Sequence, residues 1–380
     1  MVRRARSTAI AVALAAALVL VAAPASYAAN QRLVPKRFVG VMWDREIQDA
    51  PRSLQRTQWA EMASSGVESA RVIFSWDIAQ PREDAPIDFE RTDLMVEEAA
   101  RHGIDLLPVV MYAPPWSRAV RHPAAAPADN AAYARYLRAL VRRYGAAGSF
   151  WRERPKVPRR PIGAWQIWNE QHLDWQFKPH AGWAQRYGAL LRTSYRTIKR
   201  EDRGARVVLG GLVNDAWNSI DKLYRSGGIH GYFDVAAVHM YHRDPDAFPE
   251  VVRRFRAALD RNGGVKRRIF VTEAGASASK GELDAPEQEY FQVTHKQMAR
   301  LVPAAYKRLA RKADDYRIER VYWYTWASGY GSDMTVFGFA GLNSYAPGGS
   351  VLAVPGLDGY RKMARALQGC VKDTRARCER

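Results

Sequence analysis

The sequence predicts one α/β domain folded as a (β/α)8 TIM barrel, and three observations lead to that prediction. The 380 residues, 47% of them hydrophobic, are enough to bury the single large core that such a barrel needs. Short apolar runs rich in β-branched residues alternate with helical patterns, and we count eight of each. No phosphate-binding GxGxxG motif follows the first run, which argues against a doubly wound open sheet.

The predicted strands are near-continuous apolar runs, as expected for parallel strands that helices cover on the outside. In chain order they span residues 38–43, 70–76, 104–111, 162–168, 206–210, 233–239, 268–274 and 320–325. Amphipathic patterns between and after them predict the helices. The clearest of these patterns cover residues 54–65, 89–102, 130–144, 181–200, 248–262, 287–312 and 357–367, with Pro303 as a break or kink in the sixth.

The two ends of the chain carry separate signals. Residues 1–28 combine a basic start, an apolar run over 9–23 and small residues before Ala28, which predicts a secretory signal peptide. A retained N-terminal anchor is the alternative, although the apolar run is short for a membrane span. Residues 29–380 form the predicted catalytic domain. In an exported protein, Cys370 and Cys378 are expected to form a small disulfide that pins the C-terminal tail.

The chain is strongly basic, with a formal net charge of +19. Together with export, this charge indicates anionic surroundings, such as an acidic polysaccharide or a cell-wall polymer. The alternative is that the charge serves only solubility. Nucleic-acid binding is not expected, because no basic block with interleaved aromatic residues is present. The oligomeric state is left open.

Chemically useful residues lie where the predicted strands end. In a TIM barrel these positions converge at the C-terminal face, which holds the active site. Two of them are glutamates, Glu170 and Glu273, which suggests acid–base chemistry. The others suit flat apolar sugar faces and hydroxyl rims, and they are Trp43, Asp44, Trp76, Asp77, Tyr112, Trp116, Asn169, Asn214, His239, Tyr241 and Trp326.

Several of these residues stand in motifs that resemble those of clan A retaining glycoside hydrolases. The motifs are WNE at 168–170, HMY at 239–241, TEAG at 272–275 and the final Trp326, in the order that the barrel requires. The second-strand run RVIFSWDIAQP and the context of WNE resemble glycoside hydrolase family 39 most, with family 5 cellulase-like enzymes next. Gln171 and His172 stand where family 39 often has a proline. The resemblance covers essentially the whole chain after the signal segment.

This resemblance implies a retaining O-glycosidase that works by double displacement. Glu170 would be the general acid and then the general base, and Glu273 the nucleophile, with their carboxyl groups about 5 to 5.5 Å apart. Asn169 would bind the 2-hydroxyl of the reacting sugar. Ten further residues are expected to hold Glu273 or to contact the substrate. They are Arg71, His239, Tyr241, Trp326, Trp43, Asp44, Trp76, Trp116, His172 and Asn214.

Other function classes are weighed against this one. A non-catalytic glycan-binding barrel at the cell surface would use the same aromatic residues, and it is the alternative that we carry forward. A metal-dependent hydrolase is disfavoured, because the sequence has no HExxH motif and no cysteine cluster. No metal and no cofactor are expected.

Overall fold

The computed structural model describes residues 31–329, 335–346 and 349–370. The predicted signal peptide and Cys378 lie outside these residues, so the leader and the disulfide stay predictions. Within the described part, no helix is both long enough and apolar enough to cross a bilayer.

Eight parallel strands close into a barrel in chain order, which confirms the predicted fold. They are β1 (Val39–Trp43), β2 (Ser69–Ser75), β3 (Asp105–Met111), β4 (Ala164–Ile167), β5 (Arg206–Val208), β6 (Val235–Tyr241), β7 (Arg268–Gly275) and β8 (Ile318–Trp323). The barrel closes where β1 pairs with β8, with Val39 opposite Val321. Because all strands run in parallel, their C-terminal ends meet in one mouth.

Helices cover the outside of the barrel. They are α1 (Arg45–Gln48), α2 (Arg52–Ser64), α3 (Trp76–Ala79), α4 (Glu90–Arg101), α5 (Asn130–Tyr144), α6 (Ser149–Glu153), α7 (Trp183–Glu201), α8 (Ala216–Lys222), α9 (Ala247–Arg261), α10 (His295–Arg311), α11 (Ala313–Tyr316) and α12 (Gly356–Gln368). The predicted helix over 287–312 starts late, because Thr294 and Gln297 form a capping box at the start of α10. The residues before it, Pro286–Phe291, form a 3-10 helix.

The barrel interior is filled by side chains and is not a pore. Its residues form a cluster separate from the large core between strands and helices, and they are Leu107, Ala164, Val208, Val235, Ala237, Phe270 and Tyr322. The strands are buried on both faces, which explains why their sequences are near-continuous apolar runs.

A second, smaller sheet follows the barrel. Its strands are β9 (Ala327–Gly329), β10 (Asn343–Ala346) and β11 (Ser350–Ala353), paired in the order β11-β10-β9. No pairing joins this sheet to the barrel strands in the described part of the chain. Between β9 and β10, a 3-10 helix at Val336–Phe339 brings Phe337 to the barrel mouth.

Candidate active site

A cavity of about 400 Å³ opens at the mouth of the barrel. Its polar lining comes from strand ends and includes Asp44, Arg71, Asn169, Glu170 and Glu273. Its aromatic lining comes from strand ends and from the loops after β3, β4, β7 and β8, and consists of Tyr112, Trp175, Tyr241, Tyr290, Phe291, Tyr324 and Phe337. Polar groups at the bottom with aromatic rings on the walls suit a ligand with hydroxyl edges and apolar faces.

Arg71 on β2 organises the floor of the cavity. Its side chain is 1% exposed, and each of its nitrogens has a partner. Nη1 donates to Oε1 of Glu273 at 2.6 Å, and Nη2 donates to Oδ1 of Asn169 at 2.6 Å. Nε donates to Oε1 of Gln166 at 2.7 Å, and Gln166 in turn donates to the carbonyl of Leu209. The guanidinium therefore fixes residues from β4 and β7 relative to one another.

Two further groups hold Glu273. The hydroxyl of Tyr241 donates to Oε2 of Glu273, and Nδ1 of His239 lies 3.4 Å from the same oxygen. Burial raises the pKa of the Glu273 carboxyl, but the charges of His239 and Arg71 and the hydrogen bonds from Tyr241 and Arg71 outweigh burial and hold it below its usual value. Glu273 is thus kept as a buried carboxylate.

Glu170 has fewer partners. Its side chain is 13% exposed, and Nδ1 of His239 lies 2.9 Å from its Oε1. Carboxylate oxygens of Glu170 and Glu273 approach within 4.8 Å of one another. This proximity is compatible with the carboxyl separation of about 5–5.5 Å in retaining glycosidases, whereas inverting enzymes hold the two carboxyls roughly 6.5–9.5 Å apart.

The ring of His239 packs directly against Gly211, where a larger residue would not fit. Its ring is fully buried, and a Cβ on Gly211 would come within 1.9 Å of Nε2. Nε2 has no hydrogen-bond partner among the described residues. Nδ1 is therefore the ring atom that interacts with the two carboxylates, at 2.9 Å from Glu170 and 3.4 Å from Glu273.

The backbone at the mouth adopts unusual conformations. Trp168, Glu170, Asn214 and Tyr112 have φ values of +66°, +44°, +56° and +61°. Left-handed backbone at residues other than glycine is uncommon and costs free energy, especially at Trp and Tyr. Such conformations persist where the surrounding structure enforces them, and four of them occur together at this end of the barrel.

Glu170, His239 and Glu273 are also the described residues whose donor atoms lie close enough together to hold a metal ion. Arg71 argues against that use, because its guanidinium lies 2.6 Å from Glu273 and would repel a second cation. The donors around the two carboxylates fit a proton-transfer site better.

Of the thirteen residues that were assigned a catalytic or substrate-contact role, seven line the cavity, and His239 contacts the two glutamates. The seven are Asp44, Arg71, Asn169, Glu170, Asn214, Tyr241 and Glu273. The other five predicted contacts lie outside the cavity lining, and they are Trp43, Trp76, Trp116, His172 and Trp326.

Each of these five has a structural role instead. Trp43 packs against Trp59, and Trp76 stacks on Tyr136. Nε1 of Trp116 donates to the carbonyl of Gln80. Trp59 and Tyr136 belong to α2 and α5, so Trp43 and Trp76 face the helix layer, whereas Trp116 lies on the 3-10 helix Pro115–Ser117.

Trp326 and His172 are the other two. Trp326 is fully buried and donates from Nε1 to Gln58 on α2 at 2.9 Å. Tyr324, two residues earlier, lines the cavity instead. His172 lies 3.0 Å from the carbonyl of Val213, and burial lowers its pKa to about 4.

Gln166 and the aromatic wall from beyond β7 were not among the predicted site residues. Gln166 had a readable signal, because a polar residue inside an otherwise apolar strand needs a buried partner. Tyr290, Phe291 and Phe337 had none, because they come from irregular segments whose path the periodicity does not specify.

The sequence matches no protein-family model and no curated protein. Solved structures do share its fold. A family 39 glycoside hydrolase from Bacteroides cellulosilyticus WH2 is 17% identical with a TM-score of 0.64, over 87% of this chain and 64% of that one. A glucosidase from Croceicoccus marinus is 14% identical with a TM-score of 0.62, over 89% and 69%. A family 5 mannosidase from Rhizomucor miehei is 14% identical with a TM-score of 0.53, over 88% and 93%.

These likenesses are at the level of fold. The chain spans about two thirds of the length of the first two structures. Families 39 and 5, which the strand-end motifs resemble, are both among the neighbours. The barrel is therefore similar to those of clan A glycoside hydrolases, and its mouth carries two glutamates on the strands where that clan is expected to have them.

Proposed function

We propose that this protein is an exported retaining glycosidase that cleaves O-glycosidic bonds of an oligosaccharide or polysaccharide. The observation that carries the proposal is the pair Glu170 and Glu273, with carboxylate oxygens within 4.8 Å and strongly different surroundings. Glu273 has Arg71 and Tyr241 as hydrogen-bond donors, whereas Glu170 has His239 alone. Two carboxyls in unlike environments can divide the roles of nucleophile and acid.

In the first step Glu273, kept ionised by its donors, attacks the anomeric carbon. Glu170 transfers its proton to the glycosidic oxygen as the bond to the leaving group breaks. A covalent glycosyl-enzyme on Glu273 results, and the leaving sugar departs as an alcohol. Asn169, held by Arg71 through its Oδ1, keeps its amide N–H groups free to donate to the 2-hydroxyl of the reacting sugar.

In the second step Glu170, now a carboxylate, removes a proton from water or from a sugar hydroxyl. The resulting nucleophile attacks the anomeric carbon, and Glu273 leaves as a carboxylate. The anomeric configuration is inverted twice and so retained. Hydrolysis and transglycosylation differ only in the acceptor at this step.

The second candidate is a non-catalytic glycan-binding barrel, which the aromatic lining would equally serve. The donors gathered on Glu273 disfavour it, because a binding site gains nothing from a buried carboxylate that costs free energy to desolvate. The high positive charge supports an anionic polysaccharide or cell-wall polymer as the surroundings in which the enzyme works.

The test is a reducing-end assay of residues 29–380 on a panel of neutral and acidic glycans. Glu170→Gln and Glu273→Gln are each expected to lower turnover roughly 10²–10⁴-fold, whereas Asp174→Asn should not. Asp174 lies on the same loop as Glu170 but is exposed, pairs with Lys178 and does not line the cavity. Full activity in either glutamine variant would reject the proposal.

Azide separates the two roles. In Glu273→Ala, azide should replace the nucleophile and give a glycosyl azide of inverted configuration. In Glu170→Ala, azide should attack the glycosyl-enzyme and give the retained anomer. Glycan binding by calorimetry without turnover of any substrate would favour the binding module instead.

A further inference from the structure

Arginines are concentrated at the end of the barrel opposite the cavity, where the strands begin. Arg37 and Arg160 precede β1 and β4, Arg206 and Arg268 open β5 and β7, and Arg320 lies near the start of β8. We call the surface that they form, with the exposed residues between them, the basal face. Parallel strands bring all their starts to this one end, so residues far apart in sequence share it.

Two carboxylates on the basal face neutralise only part of this charge. Asp105 accepts from both Arg37 at 2.7 Å and Arg160 at 3.2 Å. Glu319 accepts from Arg206 at 2.7 Å. Five guanidinium groups thus face two carboxylates.

Three further acids lie near strand starts. Glu68, before β2, pairs with Arg32. Asp234, before β6, pairs with Lys199 at 2.9 Å. Asp202, before β5, accepts from the backbone N–H groups of Ala146, Gly204 and Ala205. With these acids included, the basal face still holds more cations than carboxylates.

Arg320 is the innermost of the five. It is 3% exposed, and its guanidinium lies over the ring of Phe270 at 4.8 Å. Nη1 donates to the hydroxyl of Tyr322 at 3.3 Å, while Nε has no partner among the described residues. A cation held under low-dielectric walls projects its field outward with little screening.

Three cations of the basal face are exposed, namely Arg268, one of the five above, and Arg159 and Lys266 beside them. Arg159, Lys266 and Arg268 all point to solvent, and none forms an ion pair with a carboxylate in the described part of the chain. Their charges are therefore available to a partner.

The cavity at the other end has the opposite charge balance. Asp44, Glu170 and Glu273 line it, against the single described cation Arg71. All the nitrogens of Arg71 are already used within the site. A polyanion is therefore repelled from the barrel mouth and attracted to the basal face.

We propose that the basal face is a docking surface for an anionic polysaccharide, and that it holds the protein on a charged matrix with the cavity directed away from the contact. Arginine forks match carboxylates in geometry, and several such contacts along one polymer add up. This docking does not depend on the proposed glycosidase activity.

A nucleic acid fits the basal face less well. The exposed large aromatic side chains of the described residues are Trp175, Tyr290 and Phe337, and all three line the cavity at the other end. Among the large hydrophobic side chains that the structure describes, the basal face exposes only the aliphatic Leu33 and Val265. Without aromatic platforms, single-stranded bases have nothing to stack on.

The experiment measures binding of residues 29–380 to polygalacturonate, with fully methyl-esterified polymer as the uncharged control. The parent protein should bind the acidic polymer and not the ester, with affinity that falls steeply as salt rises. The triple variant Arg159→Gln, Lys266→Gln, Arg268→Gln should bind roughly tenfold or more weakly, with a shallower salt dependence.

A matched variant controls for net charge. Lys296→Gln, Arg300→Gln, Lys307→Gln removes three exposed cations from α10 on the barrel wall and should bind like the parent. Equal losses in both triple variants would overturn the proposal, as would equal binding of the methyl ester. Tighter binding to duplex DNA or to phosphatidylglycerol vesicles than to polygalacturonate would overturn the assigned partner.

The test of the basal face and the test of the proposed glycosidase activity can be distinguished. The basal variant should turn over a small soluble glycoside at the parent rate, since its three residues lie at the opposite end of the barrel. Loss of polymer binding with turnover unchanged supports the docking surface. Absence of turnover in every variant would reject the proposed glycosidase and leave the binding result standing.

Discussion

Arg71 and Glu273 are 202 positions apart in the chain, yet Nη1 of one donates to Oε1 of the other at 2.6 Å. The same guanidinium binds Asn169 and Gln166. One buried cation therefore ties the second, fourth and seventh strands together at the point where the proposed chemistry takes place.

Replacing Arg71 should damage both catalysis and stability. In Arg71→Met the Glu273 carboxylate stays buried without its cation, so the free energy of unfolding should fall by about 3–5 kcal/mol. Turnover should fall roughly 10²–10³-fold. Arg71→Lys should recover much of the stability but less of the turnover, since lysine cannot bond three residues at once. Urea unfolding and steady-state kinetics measure the two effects, and wild-type turnover in Arg71→Met would contradict the assigned role.

Tyr241→Phe should shift the pH profile. The Tyr241 hydroxyl helps to hold the pKa of Glu273 below its usual value, and the attacking form is the carboxylate. Activity is lost as pH falls through that pKa. Removing the hydroxyl raises the pKa, so the acid limb of kcat/KM should move to higher pH.

Tyr290→Phe is the control for this shift. Tyr290 lines the same cavity and donates no hydrogen bond to Glu273. The acid limb of kcat/KM for Tyr290→Phe should stay at the pH of the parent protein. A shift of equal size in both variants would show that the Tyr241 hydroxyl has no special effect on Glu273.

Gly211→Ala should disable the site without touching a catalytic group. The added Cβ would meet Nε2 of His239 at 1.9 Å and push the ring away from Glu170 and Glu273. Turnover should fall at least tenfold and stability by about 1–3 kcal/mol, as for overpacking in a core. Gly163→Ala is the control, because its Cβ would meet nothing within 4 Å. Normal kinetics in Gly211→Ala would show that the position of His239 does not matter.

Trp175→Ala should affect long substrates more than short ones. Trp175 lines the cavity, is 62% exposed and lies on the loop that follows Glu170, the side where the leaving group of the proposed reaction sits. Loss of a stacking surface there should raise KM for an oligosaccharide roughly three- to tenfold, with little change for an aryl glycoside. Leu352→Ala is the matched control, since Leu352 is equally exposed but does not line the cavity. Equal KM changes for both substrates would reject a role in leaving-group binding.

Asp93 should make stability depend on pH below neutrality. Burial raises its pKa, but hydrogen bonds from Arg143, Tyr144 and Arg154 outweigh burial and lower it below 3.8. A lowered pKa contributes stability above the unfolded value, and that contribution is lost as pH falls through the folded value. Asp93→Asn should therefore be less stable at pH 7, and the difference from the parent should shrink below about pH 4. A difference that is constant across pH would exclude an ionic origin.

The barrel itself was predictable because its determinants are local. Eight apolar runs and the patterns between them specify strands and helices, and parallel strands with helical connections leave few alternatives to closure. The positions of the two glutamates were predictable for the same reason, because Glu170 and Glu273 lie at the C-terminal ends of two such apolar runs.

The surroundings of the glutamates were only partly predictable. Whether a tryptophan at a strand end faces the mouth or the helices depends on one step of register, and a one-residue difference reverses the side. Tyr324 and Trp326 lie beyond the end of β8, where strand alternation no longer applies, so the sequence pattern did not specify that Tyr324 lines the cavity and Trp326 does not. Phe337 reaches the mouth through an irregular segment, whose path follows from tertiary contacts and not from its own sequence.

The small sheet of β9, β10 and β11 has a consequence for how this fold can diversify. It carries Phe337 to the cavity and shares no strand pairing with the barrel in the described residues. Selection can therefore rebuild that wall by insertion, deletion or exchange of a whole segment, while the guanidinium and carboxylates of the floor keep their positions. In the proposed glycosidase, sugar preference and bond cleavage would therefore depend on separate parts of the chain.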